Sequence, residues 1–239
     1  MNIRQGGTVM SKRNKWKQIC SMFMAVTMIF TSLYWGGMKV SAATPPVKIK
    51  VTYGQTEART MLADINEFRT SDTEAWCWDK TDSVKESYRT TELQYDYALE
   101  RVAMKRAVEI VISYDHTRPN GTKCFTAYPS GYMADGENIA AGYMSAAEVF
   151  NGWKEENESY AGQGHRRNML SSNFKAVGIG HVVYQGCHYW VQEFGDKVMD
   201  GTASAANDST QIEDVDVSSS YITAVKTNLD DVSLKSERK

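Results

Sequence analysis

Apolar side chains recur every three or four positions over 56–69, where Met61, Leu62, Ile65 and Phe68 mark one face and predict a helix. A longer run of the same period spans 91–114. Leu93, Tyr97, Val102, Arg106 and Ile110 lie among Leu99, Ala103, Ala107 and Val111, with Thr91 as the expected N-cap and Pro119 beyond the end. The alanines at 98, 103 and 107 let a second layer approach this helix closely. A third helix is expected over 145–158, begun by a capping box of Ser145 and Glu148. A short fourth helix is expected over 165–171, after a glycine-rich stretch at 159–164. The period changes to two over 176–184 and 188–194, on either side of Gln185-Gly186, which predicts a hairpin. A short strand is expected at 136–141. The Pro45-Pro46 lead-in (44–55) reads as extended; 70–90, with Trp76-Cys77-Trp78, and 117–135 read as loops.

Helices first and a small antiparallel sheet of two or three strands late point to an α+β fold, with helices on both faces of the sheet. One domain is expected over 56–199. Residues 200–239, dominated by Ser, Thr, Asp and Asn, read as a polar, flexible tail, although Val215, Val217, Tyr221 and Ile222 have strand character.

The first 43 residues change the picture of where this domain works. Arg4, Lys12, Arg13, Lys15 and Lys17 precede an uncharged stretch over 18–38, and Ser41-Ala42-Ala43 offers a cleavage site after Ala43. A signal peptide at 1–43 and a secreted, extracellular or envelope-associated product are therefore expected. An uncleaved anchor is the alternative, because the uncharged stretch is long enough to span a bilayer. Six of the 27 Lys/Arg and none of the 29 Asp/Glu fall in 1–43, so the rest carries 21 basic against 29 acidic residues, a net charge of −8. That balance disfavours nucleic acid as a partner and adsorption to an anionic membrane; membrane attachment is expected only through an uncleaved signal. Cys77, Cys124 and Cys187 remain beyond the signal, an odd number that allows at most one internal disulfide. The sequence leaves open whether Cys124 and Cys187 pair.

One constellation has the chemistry of a site. His116 follows the long helix, Glu137 stands between Gly136 and Asn138 at a loop-to-strand transition, and His165 follows Gly162-Gln163-Gly164 at the start of the short helix. Glu156 lies three residues after Trp153, so both project from one face of the predicted third helix, with Trp153 anchored in the core. Glu148 and Glu155 read as solvated charges and Glu158 as a weaker alternative to Glu156. Two imidazoles and two carboxylates suit a divalent ion, zinc foremost. A water polarised beside a glutamate base, Glu137 or Glu156, would give hydrolytic chemistry. His181 and His188 flank the hairpin and read as structural or surface residues, and Asn168 as a tie from the short helix to a loop.

The segments Leu93-Gln94-Tyr95-Asp96, His116-Thr117-Arg118-Pro119, Gly136-Glu137-Asn138-Ile139-Ala140, Val149 through Trp153, Gly164-His165-Arg166-Arg167-Asn168-Met169-Leu170, Val177-Gly178-Ile179-Gly180 and Tyr189-Trp190-Val191-Gln192-Glu193-Phe194-Gly195 occur here in one order. In that order they resemble the CAP superfamily of cysteine-rich secretory, antigen 5 and pathogenesis-related proteins, in particular its secreted bacterial SCP-like members. The resemblance covers about 56–197. It implies a three-layer α-β-α sandwich and a central cleft with a His/Glu tetrad able to bind a divalent cation. Carried over by motif, the tetrad is His116, Glu137, Glu156 and His165. The segment between Trp153 and His165 is longer than in many bacterial members, so Glu155 or Glu158 is an alternative to Glu156. The disulfides of the eukaryotic members do not transfer, because their cysteines are missing.

No Ser or Cys stands in a recognisable nucleophile motif near the histidines. The expected function is therefore a binding or interaction module taking a small lipid-like, peptide or cell-envelope ligand in the cleft. A metal-dependent extracellular peptidase or esterase is the alternative, and a structural envelope component a third possibility. The sequence does not decide whether the protein is an enzyme.

Overall fold

Six strands form the central sheet of the computed structural model, which describes residues 46–222; the expected signal at 1–43 and the end of the polar tail lie outside the described residues. In chain order the elements are β1 (Val47–Tyr53), α1 (Gln55–Thr70), β2 (Trp76–Trp78), β3 (Lys85–Ser87), β4 (Gln94–Tyr95), α2 (Tyr97–Ile112), β5 (Asp135–Ala141), α3 (Ala146–Trp153), α4 (Gly164–Leu170), β6 (Ala176–Tyr184), β7 (Cys187–Gly195) and β8 (Thr210–Val215). The strand order is β5-β7-β6-β1-β8, and the short β4 pairs in parallel with the start of β6. The predicted hairpin is β6–β7. Its corner residues Gln185 and Gly186 both have positive φ, as a two-residue turn that matches strand twist requires.

The alternation along the strands divides the core in two. Ala58, Met61, Ile65 and Phe68 of α1 join Val149, Phe150 and Trp153 of α3 and Met169 and Leu170 of α4 over the face carrying Ala140, Val177, Ile179, Trp190 and Phe194. Ala103, Ala107, Val108, Ile110 and Val111 of α2 cover the opposite face with Ile49, Val51, Ile139, Val182, Tyr189 and Val191. The result is the expected α-β-α sandwich. The backbone of α2 meets glycines on β6. A Cβ on Gly178 would lie 2.1 Å from the Glu100 amide nitrogen, and one on Gly180 2.3 Å from the Ala103 carbonyl. Only glycine permits that approach of helix backbone to sheet.

Several elements differ from the sequence reading, each for a local reason. The long helix begins at Tyr97, not near Thr91. Asp96 is its N-cap, its carboxylate accepting from the amide of Ala98 at 2.8 Å, and Gln94–Tyr95 is drawn into the sheet beside β6. The lead-in is strand β1, and the tail contributes β8, which pairs with β1 over Val47–Thr52. The sheet is thus larger than three strands because its edge is recruited from both ends of the chain. The 70–90 segment holds the β2–β3 hairpin, tied by cation–π contact of Lys85 with Trp76. Cys77 and Cys124 are free thiols, so the Cys124–Cys187 pairing does not form.

The third helix stops at Trp153 rather than 158. Ser145 caps it as expected, accepting from the Glu148 amide at 3.2 Å. Glu155 then takes a left-handed conformation, φ +46°, which ends helical continuation. This early stop governs the geometry of the site.

Candidate functional site

Strand β5 lies at one edge of the sheet, and side chains rather than another strand satisfy its outer carbonyls. Asn168 donates to the Glu137 carbonyl at 3.2 Å, and Tyr114 and Trp153 donate to that of Ile139 at 3.2 and 3.4 Å. An edge covered in this way is closed to strand addition. Asn168 also donates to the Asn138 side chain at 2.8 Å, which in turn donates to the His165 carbonyl at 3.2 Å. The predicted tie from the short helix therefore runs to a strand. It locks α4, and His165 with it, to the same strand that carries Glu137.

Glu137 shares a strand face with Ile139, the face covered by α2. There Arg106 reaches it from α2, Nε to Oε2 at 2.6 Å, while His116 Nδ1 lies 2.6 Å from Oε1. Arg106 also holds Glu109 at 2.8 Å, and Glu109 accepts a fork from Arg118 at 2.7–3.2 Å. Burial alone would raise the Glu137 carboxyl, but the hydrogen bonds from His116 and Arg106 outweigh it and hold the group below its usual range. The same bond to Glu137 raises the His116 imidazole, against the opposing effect of burial. Opposite Glu137 in register stands Glu193 of β7, wholly buried. Tyr128 donates to its Oε2 at 2.8 Å, while Oε1 has no partner. Burial and the neighbouring charge of Glu137 push Glu193 well toward its protonated form. Cys124 is buried beside this cluster. Burial, reinforced by Glu137 and Glu193, pushes its thiol up to about 12, far from a reactive thiolate.

On the other side of β5, His165 opens α4 and pairs through Nδ1 with Glu155. The second oxygen of Glu155 accepts from the amides of His165 at 3.0 Å and Arg166 at 3.3 Å, so one carboxylate both orients the ring and caps the short helix. The left-handed turn at Glu155 brings it there. Glu156, the expected second glutamate of the tetrad for which Glu155 is an alternative, is exposed and lines the neighbouring hollow. The spacing of three from Trp153 places two residues on one face only while a helix continues, and here it has already ended. Trp153 is buried as expected. Arg166 is held by the carbonyls of Trp76, Glu74 and Lys154, the last at 2.6 Å, which fixes the far side of α4.

His116, Glu137, Glu155 and His165 line one cleft of about 440 Å³. A second hollow of about 490 Å³, walled by Tyr114, Tyr143 and Trp153, continues from it past Glu155, Gly162 and His165. The four groups form two imidazole–carboxylate pairs and do not close into a single coordination shell. Among the described residues, the only group of three or more candidate ligand atoms lying within 4.8 Å of one another is His116, Cys124 and Glu137. A divalent cation therefore fits best at the His116 end.

Arg106, Glu109, Arg118, Glu193 and Cys124 were not singled out as site residues by spacing or motif. A signal existed for some of them. Arg106 and Glu109 are charges three apart on the face of the helix that carries Val102 and Ile110, tolerable when buried only as a pair. Glu193 continues the alternation of Tyr189 and Val191, which places it inside. His181 is structural, as expected: it is buried, stacks on Trp190 at 3.6 Å between ring centroids, and meets His188 at 3.0 Å.

The chain is similar to several known proteins. YkwD of Bacillus subtilis, described as uncharacterized, is 31% identical over 107 residues, which make up 43% of this chain and 38% of that protein. The chain thus matches well under half of that relative's length. A solved extracellular protein containing an SCP domain from Bacillus anthracis is 22% identical, with a TM-score of 0.45, covering 59% of this chain and 41% of its own. The structure of NaASP2 with Zn2+ is 16% identical, with a TM-score of 0.44, covering 66% and 87%. Among the described residues, no helix is long and apolar enough to cross a membrane. The model of the cysteine-rich secretory protein family, CAP, matches residues 62–194, more than half of the sequence, and the chain belongs to that family.

Proposed function

We propose that this protein is an exported binding module that takes its ligand in the cleft between His116 and His165, with a divalent cation, zinc foremost, as one component. The observation that carries this reading is the convergence of two imidazole–carboxylate pairs, His116–Glu137 and His165–Glu155, from opposite sides of an edge strand onto one open cleft. The adjoining hollow with Tyr114, Tyr143 and Trp153 gives room for a lipid-like, peptide or cell-wall fragment beside the polar groups. Export rests on the charge and apolar pattern of residues 1–43.

The hydrolase alternative has weaker support. Both Glu137 oxygens are engaged and its carboxyl is held low, which makes it a poor base. Each histidine of the cleft is paired with another carboxylate, Glu137 or Glu155, rather than with Glu156, and the buried Cys124 thiol beside Glu137 is protonated. Amide chemical shifts of the labelled protein, followed during addition of zinc chloride, short-chain phospholipid, cell-wall muropeptides or tripeptides, test the two readings. A binding module is expected to show shifts on both sides of β5 with at least one probe, lost in His116→Ala or His165→Ala. Silence across all the probes would remove the binding reading. Turnover of peptide or ester libraries, abolished by Glu137→Gln or Glu155→Gln in a folded protein, would put the hydrolase in its place.

A further inference from the structure

We propose that His116, Cys124 and Glu137 form a thiolate-bearing zinc seat at one end of the cleft, a site in which Cys124 rather than His165 is the third protein ligand. It rests on the cleft-binding reading and specifies the cation's own ligands. The first observation is the reach of the donor atoms: one imidazole nitrogen, the Cys124 sulfur and a Glu137 oxygen all lie within 4.8 Å of one another. A tetrahedral ion with bonds of about 2.0–2.3 Å needs ligand atoms roughly 3.5 Å apart, so small side-chain movements close the site.

The second observation is how the backbone holds two of the ligands. The Cys124 amide donates to the His116 carbonyl at 2.9 Å, Thr117 bridges Lys123, and the Arg118 amide donates to the Thr122 carbonyl at 2.8 Å. Residues 117–123 are thereby a tight hairpin with His116 and Cys124 side by side at its base. The short helical turn Cys124–Ala127 then directs the sulfur inward. Glu137 is fixed independently by Arg106 from α2. All three donors are preorganised by contacts that do not involve the cleft's far wall.

The third observation is an unsatisfied buried acceptor: opposite Glu137 in register, Glu193 Oε1 has no hydrogen-bond partner among the described residues. The side chain of His116 is 58% exposed and forms the way in.

Nitrogen, sulfur and oxygen donors together select zinc over calcium or magnesium, which take oxygen ligands. Binding replaces the S–H bond of Cys124 with a sulfur–metal bond and releases the proton to solvent. The fourth position faces the cleft, where a water or a ligand group completes the tetrahedron.

Cobalt(II) titration of the reduced, metal-free full chain tests the seat, because a cobalt–thiolate bond gives an intense near-ultraviolet charge-transfer band that nitrogen and oxygen ligands do not. One equivalent of cobalt is expected to raise this band, and zinc to abolish it. Cys124→Ser should remove the band and weaken zinc binding by about tenfold or more, while His165→Ala should leave the band in place. Should Cys124→Ser not fold, zinc-edge X-ray absorption of the unaltered protein replaces it, with one sulfur expected in the first coordination shell. Cobalt binding with only weak visible bands, or a zinc shell without sulfur, overturns the seat. If His165→Ala and His116→Ala are then equally damaging, the cation lies between the imidazoles and the cleft reading survives. Absence of binding by either metal overturns the seat and removes the cation from the proposed function.

Discussion

Glu155 does three jobs: its two carboxylate oxygens orient the His165 ring and cap two amides of α4, and its left-handed backbone ends the preceding helix. Charge-assisted bonds of this kind contribute more than neutral ones. Glu155→Ala is expected to destabilise the protein by about 1–3 kcal/mol in urea unfolding. Glu156→Ala should leave the midpoint unchanged, because that side chain is exposed and makes no such bonds. Equal effects of the two substitutions would contradict this assignment. Arg106 is the corresponding residue on the other side of the cleft. Arg106→Met leaves buried Glu137 with His116 alone and Glu109 with Arg118 alone, and a loss of about 3–5 kcal/mol is expected. Arg106→Lys should recover only part of it, since an ammonium cannot present the guanidinium's fork to Glu137, Glu109 and the Asp115 carbonyl at once.

At the scale of elements, the contact between α2 and β6 sets the position of the His116 side of the cleft. Gly178 and Gly180 let the helix rest directly on the sheet, and Arg106 and Glu109 project from that seated helix. Gly178→Ala and Gly180→Ala should each force the helix outward. Thermal unfolding is expected to show a large loss, and His116 and Glu137 resonances should shift although neither residue is altered. Gly186→Ala is the control. Its Cβ would meet nothing within 4 Å, so the cost is confined to a positive φ of 77°, about 1–2 kcal/mol. A Gly178→Ala melt matching that of Gly186→Ala would show that the close approach does not matter. Placement of α4 follows a different logic. Arg69, buried and held by carbonyls rather than a carboxylate among the described residues, donates to those of Met169 and Ser171 at 2.5 and 3.1 Å and so binds the C-terminal end of α4.

For the whole molecule, pH dependence reports the balance between these regions. Burial, with the charge of His188 nearby, lowers His181 to about 4 from 6.5, against smaller raising effects from the Gly54 carbonyl and Asp208. Below about pH 6.5 the unfolded chain takes up a proton that the native His181 refuses. Stability from this group is therefore complete above pH 6.5, falls as pH drops toward 4, and is then lost, a total of about 3 kcal/mol. His116 acts in the opposite sense. Its raised value makes its contribution complete below 6.5 and lost as pH rises through the folded-state value. His181→Gln is expected to flatten urea midpoints measured between pH 6.5 and 4, whereas His116→Gln should change the profile only above that window. An unchanged acid limb in His181→Gln would refute the assignment.

What could be read from the chain alone was whatever depends on neighbours within a few residues or on motif order. The helical stripe of Met61, Ile65 and Phe68, the Gln185-Gly186 hairpin, the Ser145 cap and the buried Trp153 all follow from local periodicity and turn chemistry, and all are present. So are His116, Glu137 and His165 on one cleft. The tertiary structure decided the rest. Strand β8 looks like tail because an edge strand with mostly exposed side chains carries little apolar signal, whereas β1 alternates Ile49, Val51 and Tyr53 inward and becomes a strand between β6 and β8. Glu155 displaced Glu156 because one left-handed residue ended the helix on which the spacing argument depended. Cys124, Arg118 and Glu193 gathered behind Glu137 through register and helix seating, which no separation along the chain encodes. Local pattern states what each segment prefers, while the meeting of charged groups depends on which buried partners can neutralise one another once those segments are packed.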